Sequence, residues 1–137
     1  MEPTEQLAII LPTITDLVDR VQPDDLSNPT PCERFALADV LDHMITLGGA
    51  FGPMFRGEEP TESAPPGRNG TVPAAEFRTV MDDLLDAVRA EGAMERSIAA
   101  PVGEMPGETF ARLVAFDGLV HGWDIARAAG LPYELPD

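Results

Sequence analysis

The chain has 137 residues, 24 of them Asp or Glu and 9 Lys or Arg, for a net charge of −15. Such a length fits one domain with a proper hydrophobic core, and 44% hydrophobic residues argues against disorder throughout. Nucleic acid and anionic membranes are excluded as main partners, because binding their phosphates needs clustered Lys and Arg, which this acidic chain lacks.

The single cysteine, Cys32, excludes an internal disulfide and fits a reducing compartment. The opening Met1-Glu2-Pro3-Thr4-Glu5 is acidic where a signal peptide is basic. No apolar run approaches the roughly 20 residues that cross a bilayer. The expectation is a soluble cytoplasmic protein.

In the first segment Leu7, Ile10, Leu11, Ile14, Leu17, Val18 and Val21 recur at spacings of three and four, one stripe on a helix. Thr4 suits its N-cap. Pro12 removes one backbone bond inside it and predicts a kink. Pro23 to Pro31 reads as a loop. A second helix is expected from about Phe35 to Phe51, turning Leu37, Val40, Leu41, Met44, Leu47 and Phe51 inward.

Gly52 to Val72 is rich in Pro, Gly, Glu and Ser and reads as a long mobile loop between helices 2 and 3, of the kind that forms lids. Pro73 suits the first position of a third helix carrying Phe77, Val80, Met81, Leu84 and Val88 inward. The turn residues between Arg96 and Gly107 suggest a short extended, hairpin-like crossover. A fourth helix spans about Glu108 to Ala129, ending at Gly130 with Pro132 beyond. The fold class is all-α: one four-helix bundle over residues 1–137, whose ending, Leu135-Pro136-Asp137, reads as a truncation.

The fourth helix sets polar residues where core is expected. With Asp117 at 0°, about 100° per residue places His121 about 40° to one side and Asp124 about 20° to the other, among Phe110, Leu113, Val114 and Ala128. A buried, unpaired carboxylate costs several kcal/mol or becomes neutral. A metal ion compensates such groups, and Asp117 and His121 converge as an i, i+4 pair. His43, the only other histidine, lies on the flank of the second helix's apolar face. Two histidines and a carboxylate on facing helices make a three-ligand set with a fourth position open. An ion pair, His121–Asp124 or His43–Asp117, is the plainer alternative, and Asp-x-x-x-His alone is a weak pattern. Cys32 stands before the second helix, where amides lower a thiol pKa, yet a small buried side chain is its plainer reading. Trp123 and Phe116 point away from Asp117, towards another helix or a dimer contact.

Thr30-Pro31-Cys32-Glu33-Arg34-Phe35 followed by Asp39-Val40-Leu41-Asp42-His43 resembles the opening of actinobacterial DinB-like proteins. Gly103-Glu104-Met105-Pro106-Gly107 and the run from Val120-His121-Gly122-Trp123-Asp124 to Gly130 are similar to their second half. The parent group includes the metal-binding domain of mycothiol-dependent maleylpyruvate isomerase. The resemblance, over about Asp25 to Pro132, implies a DinB-like four-helix bundle with a three-ligand metal site. His43 and His121 match its histidine ligands, and Asp117 stands where relatives carry Glu or His. Asp124 belongs to the family string without being a ligand, and would orient His43 or His121 from behind.

Two imidazoles and one carboxylate suit Zn²⁺ first, and also Ni²⁺, Fe²⁺ or Mn²⁺. The resemblance implies a metal-dependent thiol transferase or isomerase, with mycothiol or a similar low-molecular-weight thiol and an electrophilic substrate as partners, and a homodimer. The further domain of the isomerase itself is missing, which argues against that same reaction. Two other readings stand beside it: a non-catalytic metal-binding or regulatory protein, and a metal-free helical dimerisation module. No residue stands out as general base.

Overall fold

The computed structural model describes residues 2–31, 35–58, 72–100 and 103–133. Helix α1 spans Pro3–Asp19, α2 Leu37–Phe55, α3 Ala74–Val88 and α4 Gly107–Ala129, with strands β1 (Ser97–Ala100) and β2 (Gly103–Pro106) between α3 and α4. The fold is all-α, and the described residues form four α-helices carrying one small antiparallel hairpin in which Ser97 pairs with Pro106 and Ile98 with Met105. Among the described residues, no helix is long and apolar enough to cross a membrane.

Helix α1 buries the expected stripe from Leu7 to Val18. Pro12 lies inside it on the exposed face, and the helix runs through as one element. The cap differs from expectation. Glu2 occupies the N-cap without a side-chain bond, and Thr4 lies in the first turn. Pro3 decides this, because its fixed φ and missing N–H suit the first helical position. The loop after α1 contains a 3-10 turn at Pro23–Ser27, closed by the Asp25 carboxylate accepting from the Gln22 amide at 2.9 Å.

Helix α2 starts at Leu37, with Asp39 accepting from the Ala36 amide at 2.9 Å. It continues to Phe55, so the expected end at Phe51 and the expected loop from Gly52 are both corrected. Tertiary contacts override the Gly and Pro signals there. Phe55 is fully buried and stacks on Phe110 with ring centroids 5.3 Å apart. Just beyond it, Arg56 makes a two-pronged bond to Asp83 of α3, at 2.9 and 3.1 Å. Pro53 sits in the last turn, and these contacts offset the backbone bond that its missing N–H removes. The remainder of the expected loop, 59–71, lies outside the described residues, as do Cys32 and the ending 134–137.

Helix α3 is tied to α1 through Arg78, which pairs with Asp19 and stands 3.9 Å from Asp16. Pro73 is its N-cap rather than its first residue. Helix α4 begins against the turn that precedes the hairpin. The Gly107 amide donates to the Arg96 carbonyl at 2.7 Å and the Glu108 amide to the Met94 carbonyl at 2.9 Å, giving two otherwise orphaned helix-start amides a partner. The far end closes at Gly130, in the left-handed region with φ 67°. Asn28 ties the α1–α2 loop to this end, its amide donating to the Ala128 carbonyl at 2.9 Å.

The rotation of α4 differs from expectation. Its buried face centres on Ala111, Gly118, Gly122 and Ile125, about 100° round the helix from Asp117. Leu113, expected inward, is 45% exposed. The cause is the neighbour. Helix α1 brings Ile10 and Ile14 so close that a Cβ on Gly118 would stand 3.3 Å from Ile10, and one on Gly122 would stand 3.1 Å from Ile14. Only small side chains fit, so the large ones turn outward.

At Gly107 an added Cβ would collide with the Ala93 carbonyl, which is backbone and cannot rotate away. Gly107→Ala should therefore lower the stability measured by urea unfolding by about 1–3 kcal/mol, the usual cost of overpacking. Gly92→Ala probes the other glycine constraint, a positive φ of 80° with open space around the Cβ, and should cost about 1 kcal/mol.

Candidate functional site

Helices α2 and α4 run antiparallel, since His43 near the start of α2 meets His121 near the end of α4 while Phe51 meets Phe110. The two imidazole rings stand edge to face with centroids 5.2 Å apart. On α4, His121 Nε2 lies 3.3 Å from Asp117 Oδ1. The ring's other side faces Asp124, with Nδ1 3.6 Å from Oδ2. The structure therefore brings His43, Asp117, His121 and Asp124 into one patch between two helices.

Burial divides the two carboxylates. The Asp117 side chain is 50% exposed and that of Asp124 only 6%. Asp117 sits at the rim of the helix's buried face instead of its middle, so the cost of desolvation falls on Asp124 and not on Asp117. The sequence periodicity was weighted by Leu113, Val114 and Phe110, whereas close packing with α1 shifted the buried arc towards the glycines.

The His121 imidazole is held above its ordinary value of 6.5 by the Asp117 carboxylate, against the opposing effect of burial, with the Asp124 charge adding to the rise. At 3.6 Å the approach to Asp124 is too long for a hydrogen bond, and His121 Nδ1 is buried without such a partner. His43 shifts the opposite way. Burial lowers it first, the charge of His121 lowers it further, and Asp117 only partly offsets both. Phe35, whose ring centroid is 5.8 Å from that of His43, supplies part of the apolar surrounding. Phe35 was not singled out as a site residue, although it closes the Thr30–Phe35 string that precedes the helix.

Chemically the patch offers two imidazoles and a rim carboxylate, the donor types for a borderline divalent ion. As they stand, His121 is engaged by carboxylates, and among the described residues no group of three or more His, Cys, Asp or Glu side chains is gathered tightly enough to hold a metal ion. The donors fit in kind and neighbourhood, and His121 Nδ1 is a buried nitrogen in want of a partner. Ligation would require the side chains to turn from their present pairing. Trp123 and Phe116, expected to face another helix or a dimer contact, remain largely open to solvent. They are 48% and 67% exposed, and the Arg127 guanidinium stands 5.8 Å from the Trp123 ring centre.

The family model of the mycothiol maleylpyruvate isomerase N-terminal domain matches residues 7–126. The chain belongs to this family. Two Mycobacterium tuberculosis proteins, uncharacterized protein MT0763 of strain CDC 1551 / Oshkosh and uncharacterized protein Rv0738 of strain ATCC 25618 / H37Rv, are each 33% identical to it over 120 residues. Those matches cover 87% of this chain and 63% of each relative, so the chain spans under two thirds of their length. The crystal structure of a DinB-like protein from Bacillus subtilis superposes with a TM-score of 0.69 at 14% identity, over 98% of this chain and 96% of that one. At that identity the likeness shows the fold, which is DinB-like.

The opposite shifts of the two histidines have opposite consequences for pH dependence. His121, raised, favours the fold fully below pH 6.5, and that contribution is lost as pH rises through its folded value. His43, lowered, favours the fold above pH 6.5, and its contribution falls as pH drops through 6.5 towards its folded value. Proton NMR titration of the chelator-treated protein should resolve the pair, one imidazole titrating below 6.5 and the other above. Asp117→Asn should bring the upper one down. Two histidines titrating together near 6.5 would contradict the geometry.

Proposed function

We propose that His43, Asp117 and His121 hold one divalent metal ion, and that the protein uses it to transfer or isomerise an electrophile with a low-molecular-weight thiol of the mycothiol type. The observation that carries this reading is the approach of the two histidines across α2 and α4, 5.2 Å apart, with the Asp117 carboxylate 3.3 Å from one of them. Membership of the mycothiol maleylpyruvate isomerase N-terminal domain family supports the thiol.

Each residue has a task that follows from its surroundings. His43 is kept neutral near pH 7 by its burial, the form in which an imidazole donates a lone pair. Asp117, half exposed at the rim, brings a negative charge without being trapped in the core. Asp124, buried on the far side of His121, steadies that ring from behind by charge. When bound, the ion stabilises the deprotonated, nucleophilic form of a thiol. Zn²⁺ suits the donor set best, with Ni²⁺, Fe²⁺ or Mn²⁺ as alternatives.

A second reading rests on the same site. The carboxylates already engage His121, so the cluster can serve as an ion-paired clasp in a metal-free or non-catalytic bundle. Thermal melting separates the two. At pH 7.5, Zn²⁺ at 100 times its dissociation constant should add about 2.7 kcal/mol, or roughly 10 °C for a chain of this size. The rise should vanish in the His43→Ala, His121→Ala double variant and shrink markedly at pH 5, where protons compete for both imidazoles. Asp117→Ala should weaken it and Asp117→Glu retain it. A melting temperature indifferent to chelator and to added Zn²⁺, Ni²⁺ and Mn²⁺ would leave the clasp. Thiol-transfer assays with and without mycothiol then distinguish an enzyme from a metal-binding regulator.

A further inference from the structure

Beyond the histidines, the groove between α2 and α4 widens into an apolar cavity of about 360 Å³. Leu47 and Phe51 of α2 form one wall, Phe110 and Leu113 of α4 the other, and Ala100 of β1 contributes at the hairpin side. Among the described residues Asp117 is the one charged side chain on its lining, and the same carboxylate touches His121. The cavity and the candidate metal site therefore share a wall.

Three features distinguish this space from an ordinary surface dent. Its size falls in the range of small-molecule pockets. Its aromatic wall is built from behind, because the Phe51 and Phe110 rings meet edge to face at 5.0 Å and buried Phe55 stacks on Phe110. Finally, Leu113 and Phe116 stay 45% and 67% exposed at its mouth. Scattered apolar residues in water need no explanation, but these two border one cavity beside one polar cluster.

Charge defines what can enter. Among the described residues the lining contains no Lys, Arg or His. A carboxylate or sulfonate pressed against the apolar wall away from Asp117 would lose its water with no side-chain cation among the described lining residues to replace it, within a chain of net charge −15. We infer that this cavity receives an uncharged apolar group, aromatic or branched aliphatic, of the electrophile, and that its apolar wall prefers a neutral group to an anionic one. The inference rests on the proposed function for what happens at the Asp117 end. The binding preference stands on the cavity alone.

A matched pair of fluorescent probes tests it. N-phenyl-1-naphthylamine is neutral, and 1-anilinonaphthalene-8-sulfonate is the same skeleton with one sulfonate added. Titrated into the intact, EDTA-treated chain, the neutral probe should bind at least about tenfold more tightly. Leu113→Arg should weaken the neutral probe and narrow or invert the preference, and Phe116→Arg should shift it the same way. Both positions are exposed, so unchanged unfolding midpoints are expected for these variants. Equal binding of the two probes, or a preference indifferent to both arginine variants, would overturn the inference. So would loss of probe binding at high protein concentration with a doubled mass by light scattering, which would assign the face to a second copy of the chain. A parallel Zn²⁺ melting experiment keeps the two ideas apart. A preserved preference without a zinc effect removes the metal reading and keeps the cavity, while a zinc effect without the preference does the reverse.

Discussion

The close approach of α1 to α4 governs what the rest of the molecule can present. Ile10 and Ile14 leave room for hydrogen but not for a methyl group at Gly118 and Gly122 without the neighbours giving way. Tyr133 closes over Gly122, its hydroxyl donating to the Leu119 carbonyl at 3.1 Å. Helix α4 is thereby seated by its small residues, and its rotation follows. Asp124 is carried inward, Asp117 to the rim, and Leu113, Phe116, Val120 and Trp123 to the outside. A pair of glycines on one face thus sets the position of each polar group on the next.

The result at the α2–α4 groove is an asymmetric pair of imidazoles. His121 stands between two carboxylates and is pushed towards its protonated form, whereas His43, half-buried near Phe35, is pushed towards neutrality. Two histidines with the same intrinsic chemistry are driven apart by surroundings that the fold supplies. Such divergence at one cluster is common where protons or cations are exchanged, although structural ion pairs produce it as well. The carboxylates that raise His121 would have to release it for its nitrogen to serve an ion.

Likeness of fold and likeness of sequence reach different depths. Likeness to the Bacillus subtilis DinB-like structure at 14% identity speaks for backbone arrangement, which a bundle preserves through patterned hydrophobicity after most side chains have changed. The family match over residues 7–126 reaches further, because it spans most of α1, the hairpin and most of α4, including His43, Asp117, His121 and Asp124. Chemistry still has to be argued from those residues and the apolar cavity beside them, since function resides in sites grafted onto a fold.

Much of the architecture was legible in the residues themselves. The three-and-four spacing of Leu7 to Val21, the turn residues before Gly107 and the glycine at 130 determined α1, the hairpin and the end of α4, because each is a local rule of periodicity or backbone conformation. His43, Asp117, His121 and Asp124 were likewise legible as polar residues close to apolar faces. Only the tertiary structure decided the end of α2 and the rotation of α4. The buried Phe55–Phe110 stack and the Arg56–Asp83 clasp carry α2 past Gly52 and Pro53. No local propensity encodes those partners, which come from elsewhere in the chain. Helix periodicity gives the angle between side chains but not which angle faces a neighbour. That zero point was set by how closely Ile10 and Ile14 could approach Gly118 and Gly122, a contact between residues about 100 positions apart in sequence.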